Sequence, residues 1–251
     1  MSDKKSPNLS VCVSPALLPL YDLENRIIVV IDIFRASSSI CYGIANGAEA
    51  IIPVSEIEEC CTYKDQGVLL AAERNGVVVE GFDFGNSPFS YTKEKVDGKT
   101  IVLTTTNGTK AIKRSLKAHT IIVGSFLNLS AVCNWLSNQK EDIILLCAGW
   151  KENFCLEDML FAGAVVEKLN GGNRIADDGA TAAEDLYKLA KNDLSGYLAK
   201  SSHSERLKNL HIEKDIAFCL QIDLLNAIPI LKDNKLVKWS KELQEKDSIQ
   251  I

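Results

Sequence analysis

No stretch of the sequence approaches the roughly 20 apolar residues of a membrane span. Its polar start, MSDKKSPNLS, is not followed by the apolar core of a signal peptide. A cytoplasmic protein with no membrane partner is therefore expected. Positive charge is not in excess either. A net charge of −5 argues against non-specific nucleic-acid binding, which needs a basic surface to displace counterions. It also means that an anionic substrate must be drawn by a local basic pocket, since the overall field opposes it. Eight cysteines are present, yet there is no C-x-x-C pair, no Cys/His spacing of a zinc site and no C-x5-R phosphate loop. A cysteine-based phosphatase is thereby disfavoured. Cys147 in LLCAG and Cys219 in AFCLQ lie in apolar runs, where a free thiol behaves as a small buried hydrophobe. No linker rich in Pro, Gly or Ser divides the chain. Its 251 residues, 46% hydrophobic and 24% charged, suffice for one large core. One α/β domain over 1–251 is expected, with 140–150 the place where it would subdivide.

What is present is strand–helix alternation. Apolar runs at Leu9–Val13, Ile27–Ile31, Ala50–Val54, Val68–Ala72, Thr100–Thr104, Thr120–Val123 and Ile143–Cys147 read as strands, and Val77–Val79 reads as extended. Helical patterns run from about Ala36 to Asn46, over Lys110–Leu116 and from about Leu156 to Leu169. Further ones cover Ala180–Lys191, Ser204–Leu210 and Asp215–Leu225. Ser55 is expected to cap the acidic helix SEIEECCTYKDQ, and Asp178 to cap the helix after Gly179. The pattern predicts a three-layer α/β/α fold with a largely parallel sheet and a helical carboxyl-terminal part. The 21 residues from Arg35, RASSSICYGIANGAEAIIPVS, overlay those from Thr105, TTNGTKAIKRSLKAHTIIVGS, without a gap. They share the order loop, helix, strand, serine, as right-handed crossover units do in general.

In open α/β sheets ligands bind at the carboxyl ends of strands, and four such loops carry polar groups. The first holds Asp32, Arg35 and Ser37–Ser39 after the run IIVVI. A carboxylate and a guanidinium there read as a metal ligand or acid/base group beside an anion clamp. The plainer reading is a cap paired with a neighbouring arginine. The second holds Glu73, Arg74, Asn75 and Gly76, with Gly81–Pro88 downstream. The third is Thr104–Thr109. Its Thr106, Asn107, Gly108 and Thr109, followed by Lys110, make a phosphate cradle of hydroxyls and amides, or a simple Asn-Gly turn. The fourth runs from Ala148 to Asp158 and contains Lys151, Glu157 and Asp158. Acids in a first helical turn complement the macrodipole. Convergence with Asp32 on one rim would instead suit Mg²⁺, which takes oxygen ligands, few of them from protein.

The blocks IDIFRASSSI, ERNGVVVEGFDFGNSP, TTTNGTKAI, VGSFLN and CAGWKENFCLEDMLFAG, in this order, resemble the 2-phosphosulfolactate phosphatase family from about Ile28 to about Asp178. The resemblance implies a Mg²⁺-dependent phosphatase of α/β type. Its reaction hydrolyses 2-phospho-3-sulfolactate to 3-sulfolactate, a step towards coenzyme M. Cys155 and Phe34 depart from the family pattern, where smaller or aliphatic residues are expected. On this reading Asp32, Arg35, Glu73 and Asn107 are catalytic. Arg35, Ser37, Arg74, Thr106, Asn107, Gly108, Thr109 and Lys110 bind substrate, and Asp32, Glu157 and Asp158 hold Mg²⁺. Between the two acids Asp158 is the expected direct ligand, because neighbours on a helix point about 100° apart. The partner is a small anionic phosphate ester, and a homodimer is allowed. Two rivals stand beside this reading. A covalent aspartyl phosphatase of the haloacid dehalogenase type would use Asp32 as nucleophile, but needs a second Asp where Phe34 stands. A non-catalytic anion-binding α/β protein would keep the rim without turnover.

Overall fold

The computed structural model describes residues 7–169, 174–208, 210 and 212–243. In chain order its elements are β1 (Asn8–Cys12), β2 (Arg26–Ile31), α1 (Ala36–Ala45), β3 (Ala50–Pro53), α2 (Ile57–Cys61), β4 (Leu69–Arg74) and β5 (Val77–Val78). There follow α3 (Lys93–Val96), β6 (Thr100–Thr104), α4 (Gly108–Arg114), β7 (Thr120–Gly124), α5 (Leu129–Leu136), β8 (Asp142–Cys147) and α6 (Leu156–Leu169). The chain continues through β9 (Arg174–Ile175), α7 (Asp178–Ala190), α8 (Leu194–Leu198), α9 (Ser202–Lys208), α10 (Glu213–Cys219), β10 (Pro229–Lys232) and β11 (Lys235–Lys238).

All the strands form one sheet in the order β5-β4-β6-β3-β11-β10-β7-β2-β8-β1-β9. It is mostly parallel and carries helices on both faces, as the alternation predicts. β2 lies inside it, paired in parallel with β7 on one side and β8 on the other. Because side chains alternate along a strand, its apolar run feeds two cores. Ile27, Val29 and Ile31 pack with Leu160, Phe161 and Val165 of α6 and Ala183 of α7. Ile28 and Val30 pack with Ile40 and Ile44 of α1 and Ile112 of α4. Burying each such side chain contributes roughly 1.5–3 kcal/mol, which explains a run with no polar residue. Gly163 lets α6 meet α7 closely, since a Cβ there would overlap the Ala183 carbonyl.

The carboxyl-terminal part is largely helical and adds a hairpin that the sequence reading does not anticipate. β10 and β11 pair antiparallel and insert into the middle of the sheet. Each joins its outer neighbour through one residue pair, Ile230–Ile122 and Leu236–Ile51, both antiparallel. Three successive antiparallel pairings reverse the sense between the β7 half and the β3 half. The overlay of 35–55 on 105–125 acquires a structural counterpart here. β2–α1–β3 carries the chain from one half to the other, and β6–α4–β7 carries it back. Two caps differ from expectation. Glu56, not Ser55, precedes the short α2, and the Ser55 amide instead donates to Glu59 Oε2 at 3.0 Å. Asp177, not Asp178, caps α7 by accepting from the Ala180 amide. Among the described residues no helix is long and apolar enough to cross a membrane.

Candidate active site

Asp32 follows β2 and is buried where the first turns of α1 and α4 meet. A Cβ on Gly108 would lie 2.7 Å from Asp32 Oδ2 and 2.8 Å from the Ala36 Cβ, so only glycine lets the carboxylate sit over α4. The Ser37 hydroxyl accepts the Asp32 amide at 2.6 Å, fixing the turn. Burial and then the Glu73 charge push the Asp32 pKa from 3.8 up to about 7, against the lowering influence of His203 and of the Ala36 amide.

Glu73 comes from β4, in the opposite half of the sheet, and ties three loops together. Its Oε1 accepts from the Gly76 amide and from the Thr106 hydroxyl, the latter at 3.1 Å. Its Oε2 accepts from the Thr106 amide at 3.2 Å and from Asn86 Nδ2 at 3.5 Å. The Asn86 Oδ1 is buried without a hydrogen-bond partner among the described residues.

The acids of α6 part company. Asp158 Oδ1 accepts the Ile33 amide and its Oδ2 the Gly149 amide, both at 2.9 Å. It thus staples the loop after β2 to the loop after β8. Burial, then Glu157 and Asp32, hold its carboxyl well above the ordinary range. Glu157 is buried too. Its Oε1 pairs with His203 Nδ1, and its Oε2 has no partner among the described residues. Of the two, Glu157 is the one with an oxygen to spare.

Arg35 lies under α10. Its Nη1 pairs with Asp215 Oδ2 and its Nη2 donates to the Gly76 carbonyl at 2.7 Å, while Ser87 donates to Asp215 Oδ1 at 3.1 Å. Asp32, Phe34, Arg35, Glu73, Asn75, Gly76, Asn86, Asn107, Trp150, His203, Arg206 and Leu210 enclose a cavity of about 220 Å³. Trp150 and His203 lie 5.6 Å apart ring to ring, and the Arg206 guanidinium sits 5.1 Å from the Trp150 ring.

The structure thus brings Asp32, Arg35, Glu73 and Asn107 to one cavity, with Gly108 beneath Asp32. Other expected residues are engaged elsewhere. Arg74 turns away, donating to the Glu73 and Ser55 carbonyls and to Thr104 Oγ1. Thr109 is buried in reciprocal bonds with Thr105, each hydroxyl accepting the other's amide at 3.1 Å. Ser37 and Thr106 spend their hydroxyls on the scaffold. Lys110 pairs with Glu56 at 3.1 Å on the surface. With Arg114 and Lys151 it lines an adjoining groove that shares Asn107 with the cavity, and Asn107 Oδ1 accepts the Lys151 amide at 2.9 Å. His203, Arg206 and Asp215 are absent from the sequence reading. Their local setting, SSHSERL and EKDIAF, looks like ordinary helix surface. His203 stands out only as one of three histidines.

The model of the family described as 2-phosphosulpholactate phosphatase matches residues 12–234. A probable 2-phosphosulfolactate phosphatase of Thermotoga petrophila is 48% identical over 219 residues, 87% of this chain and 95% of the relative. The one from Thermotoga maritima is 47% identical over the same shares. That of Caldanaerobacter subterraneus subsp. tengcongensis is 42% identical over 226 residues, 88% and 93%. The matched residues take in every loop that closes the cavity, from Asp32 to Asp215, and the chain belongs to the 2-phosphosulfolactate phosphatase family.

Proposed function

We propose that this protein is a Mg²⁺-dependent phosphatase that hydrolyses 2-phospho-3-sulfolactate, or a closely related phosphorylated hydroxy acid, to the hydroxy acid and phosphate. The observation that carries this reading is the convergence of Asp32 and Glu73 on one small cavity, with Glu157 buried behind it. A volume of about 220 Å³ is below that of pockets for drug-sized ligands and suits a three-carbon acid. Membership of the family, whose relatives carry that activity in their names, supports the same substrate.

The residues fit Mg²⁺. Asp32 and Glu157 would hold it, with the unpartnered Asn86 Oδ1 as a neutral oxygen nearby, and Asp158 would support them by fixing both loops. When bound, the ion offsets charge on the phosphoryl oxygens and orients an attacking water. The substrate carries about four negative charges near neutral pH, the phosphate ionising a second time near 6. Arg206, exposed at the cavity mouth, is placed to meet them, and Lys151 lends positive charge along the adjoining groove, where Lys110 and Arg114 are already matched by Glu56 and Glu152. Arg35 is already matched by Asp215, so its part is to shape the wall rather than to add net charge. The Asp32 pKa of about 7 belongs to the metal-free protein. A bound dication would keep its carboxylate ionised, so its part is to hold the ion rather than to carry a proton. For a loose transition state, positioning and charge neutralisation count most. Phe34 lines the cavity two residues after Asp32. The haloacid dehalogenase route therefore lacks its Asp proton donor. A reduced cytoplasmic setting and a step towards coenzyme M accord with this reading, and eight free thiols, only Cys61 among them exposed, support the first.

The test is phosphate release from a panel of phosphorylated hydroxy acids, with Mg²⁺ and after chelation. Release from 2-phosphosulfolactate that chelation abolishes and Mg²⁺ restores is expected. Binding of the esters without release would favour the non-catalytic anion-binding alternative.

A further inference from the structure

Cys155, just before α6, Glu157 in its first turn and His203 on α9 are all buried, and one ligand atom from each lies within 4.8 Å of the others. Cys155 Sγ is 3.9 Å from His203 Nδ1. Glu157 Oε1 pairs with the same nitrogen, while Oε2 is buried with no partner among the described residues. An unpartnered buried oxygen costs stability unless something meets it. A tetrahedral ion with bonds of about 2.3 Å to sulfur and 2.0–2.1 Å to nitrogen sets those two atoms about 3.6 Å apart. The observed spacing is within a few tenths of an ångström of that.

We propose that Cys155, Glu157 and His203 form a binding site for a thiophilic divalent transition metal, with Zn²⁺ the reference ion and its fourth position open to the cavity that His203 lines. The donor set decides the class of metal. Thiolate and imidazole select zinc-like ions, whereas Mg²⁺ demands oxygen. On binding, the thiol proton passes to solvent as the metal–sulfur bond forms, and the ion replaces the contact between Nδ1 and the Glu157 carboxylate. Glu157 also belongs to the oxygen set proposed for Mg²⁺. Zn²⁺ and Mg²⁺ would then exclude one another, a consequence that rests on the phosphatase reading while the binding itself does not.

The experiment is a Co²⁺ titration of the full-length protein after chelation, without substrate, followed by displacement with Zn²⁺. A thiolate-to-cobalt charge-transfer band that saturates at one Co²⁺ per chain and vanishes on adding Zn²⁺ is expected. Cys155→Ala should abolish the band, and His203→Gln should weaken Co²⁺ binding about tenfold or more, since even groups that merely support a metal ligand are worth that much. Circular dichroism checks that each variant is folded, and Cys155→Ser replaces Cys155→Ala if the latter is not. Cys61→Ser, at the exposed thiol, should leave the band intact. No band in the folded parent, a band that survives loss of Cys155, or one lost with Cys61 would overturn the site. Because no substrate is present, a failed phosphate-release assay leaves this result standing, and the converse holds.

Discussion

Arg35 and Asp215 form an ion pair across 180 residues of sequence, with side chains only 6% and 9% exposed. The pair pins α10 over the loop after β2, and Gly76 and Ser87 complete its hydrogen bonds. Removing one partner leaves the other charge buried and uncompensated. Asp215→Ala should therefore cost about 3–5 kcal/mol in denaturant unfolding, whereas Arg35→Met combined with Asp215→Leu should recover most of the loss. A cost below about 1 kcal/mol for the single variant, the scale of an exposed pair, would mean that α10 does not seal this wall.

Asp32→Asn should keep the fold, because the side chains are nearly isosteric, while phosphate release falls by about 10²-fold or more. That is the scale for removing a group that positions or stabilises charge. Turnover within about threefold of the parent, by initial-rate phosphate release, would take Asp32 out of the chemistry.

Glu157 and Asp158 should respond differently. Glu157→Gln should raise the Mg²⁺ concentration needed for half-maximal activity by about an order of magnitude, a ligand's loss being felt at least as strongly as that of its support. Asp158→Asn turns one acceptor into a donor facing an amide N–H of Ile33 or Gly149. It should lower stability by about 1–3 kcal/mol, the cost of a buried mismatch. Mg²⁺ titrations beside melting temperatures separate the two, and an unchanged Mg²⁺ response in Glu157→Gln would return that acid to a structural role.

The stability of the metal-free protein should fall as pH rises from about 4 to about 7. Folded Asp32 keeps its proton up to about 7, whereas the unfolded chain loses it near 3.8, so across that window the native state binds more protons. Asp158, also raised, acts with the same sign. Asp142 acts oppositely, since its lowered pKa contributes stability above 3.8 that is lost only in more acidic solution. Thermal melts should be higher at pH 5 than at pH 8, and Asp32→Asn should flatten the slope and exceed the parent at pH 8. An equally steep slope in that variant would place the titration on another group.

The sequence by itself determined the parallel strands, the helices after them and the loops at their ends, because apolar periodicity and turn residues are local signals. It also located Asp32 and Asn107, just past β2 and β6, and Glu73 at the carboxyl end of β4. The tertiary structure alone decided what those loops face. PILK and KLVK carry lysines at their ends and read as surface chain, yet they enter the middle of the sheet and reverse one half against the other. That pairing depends on partners more than 100 residues away, and no local pattern records it. The same holds for Glu157 and Asp158, whose roles diverge because one turn of α6 aims the first at His203 and the second at two backbone amides. Arg74 and Lys110 show the converse. Their charges look suited to a phosphate, but carbonyls and Glu56 already claim them, and only packing in three dimensions decides which partner a long flexible side chain reaches first.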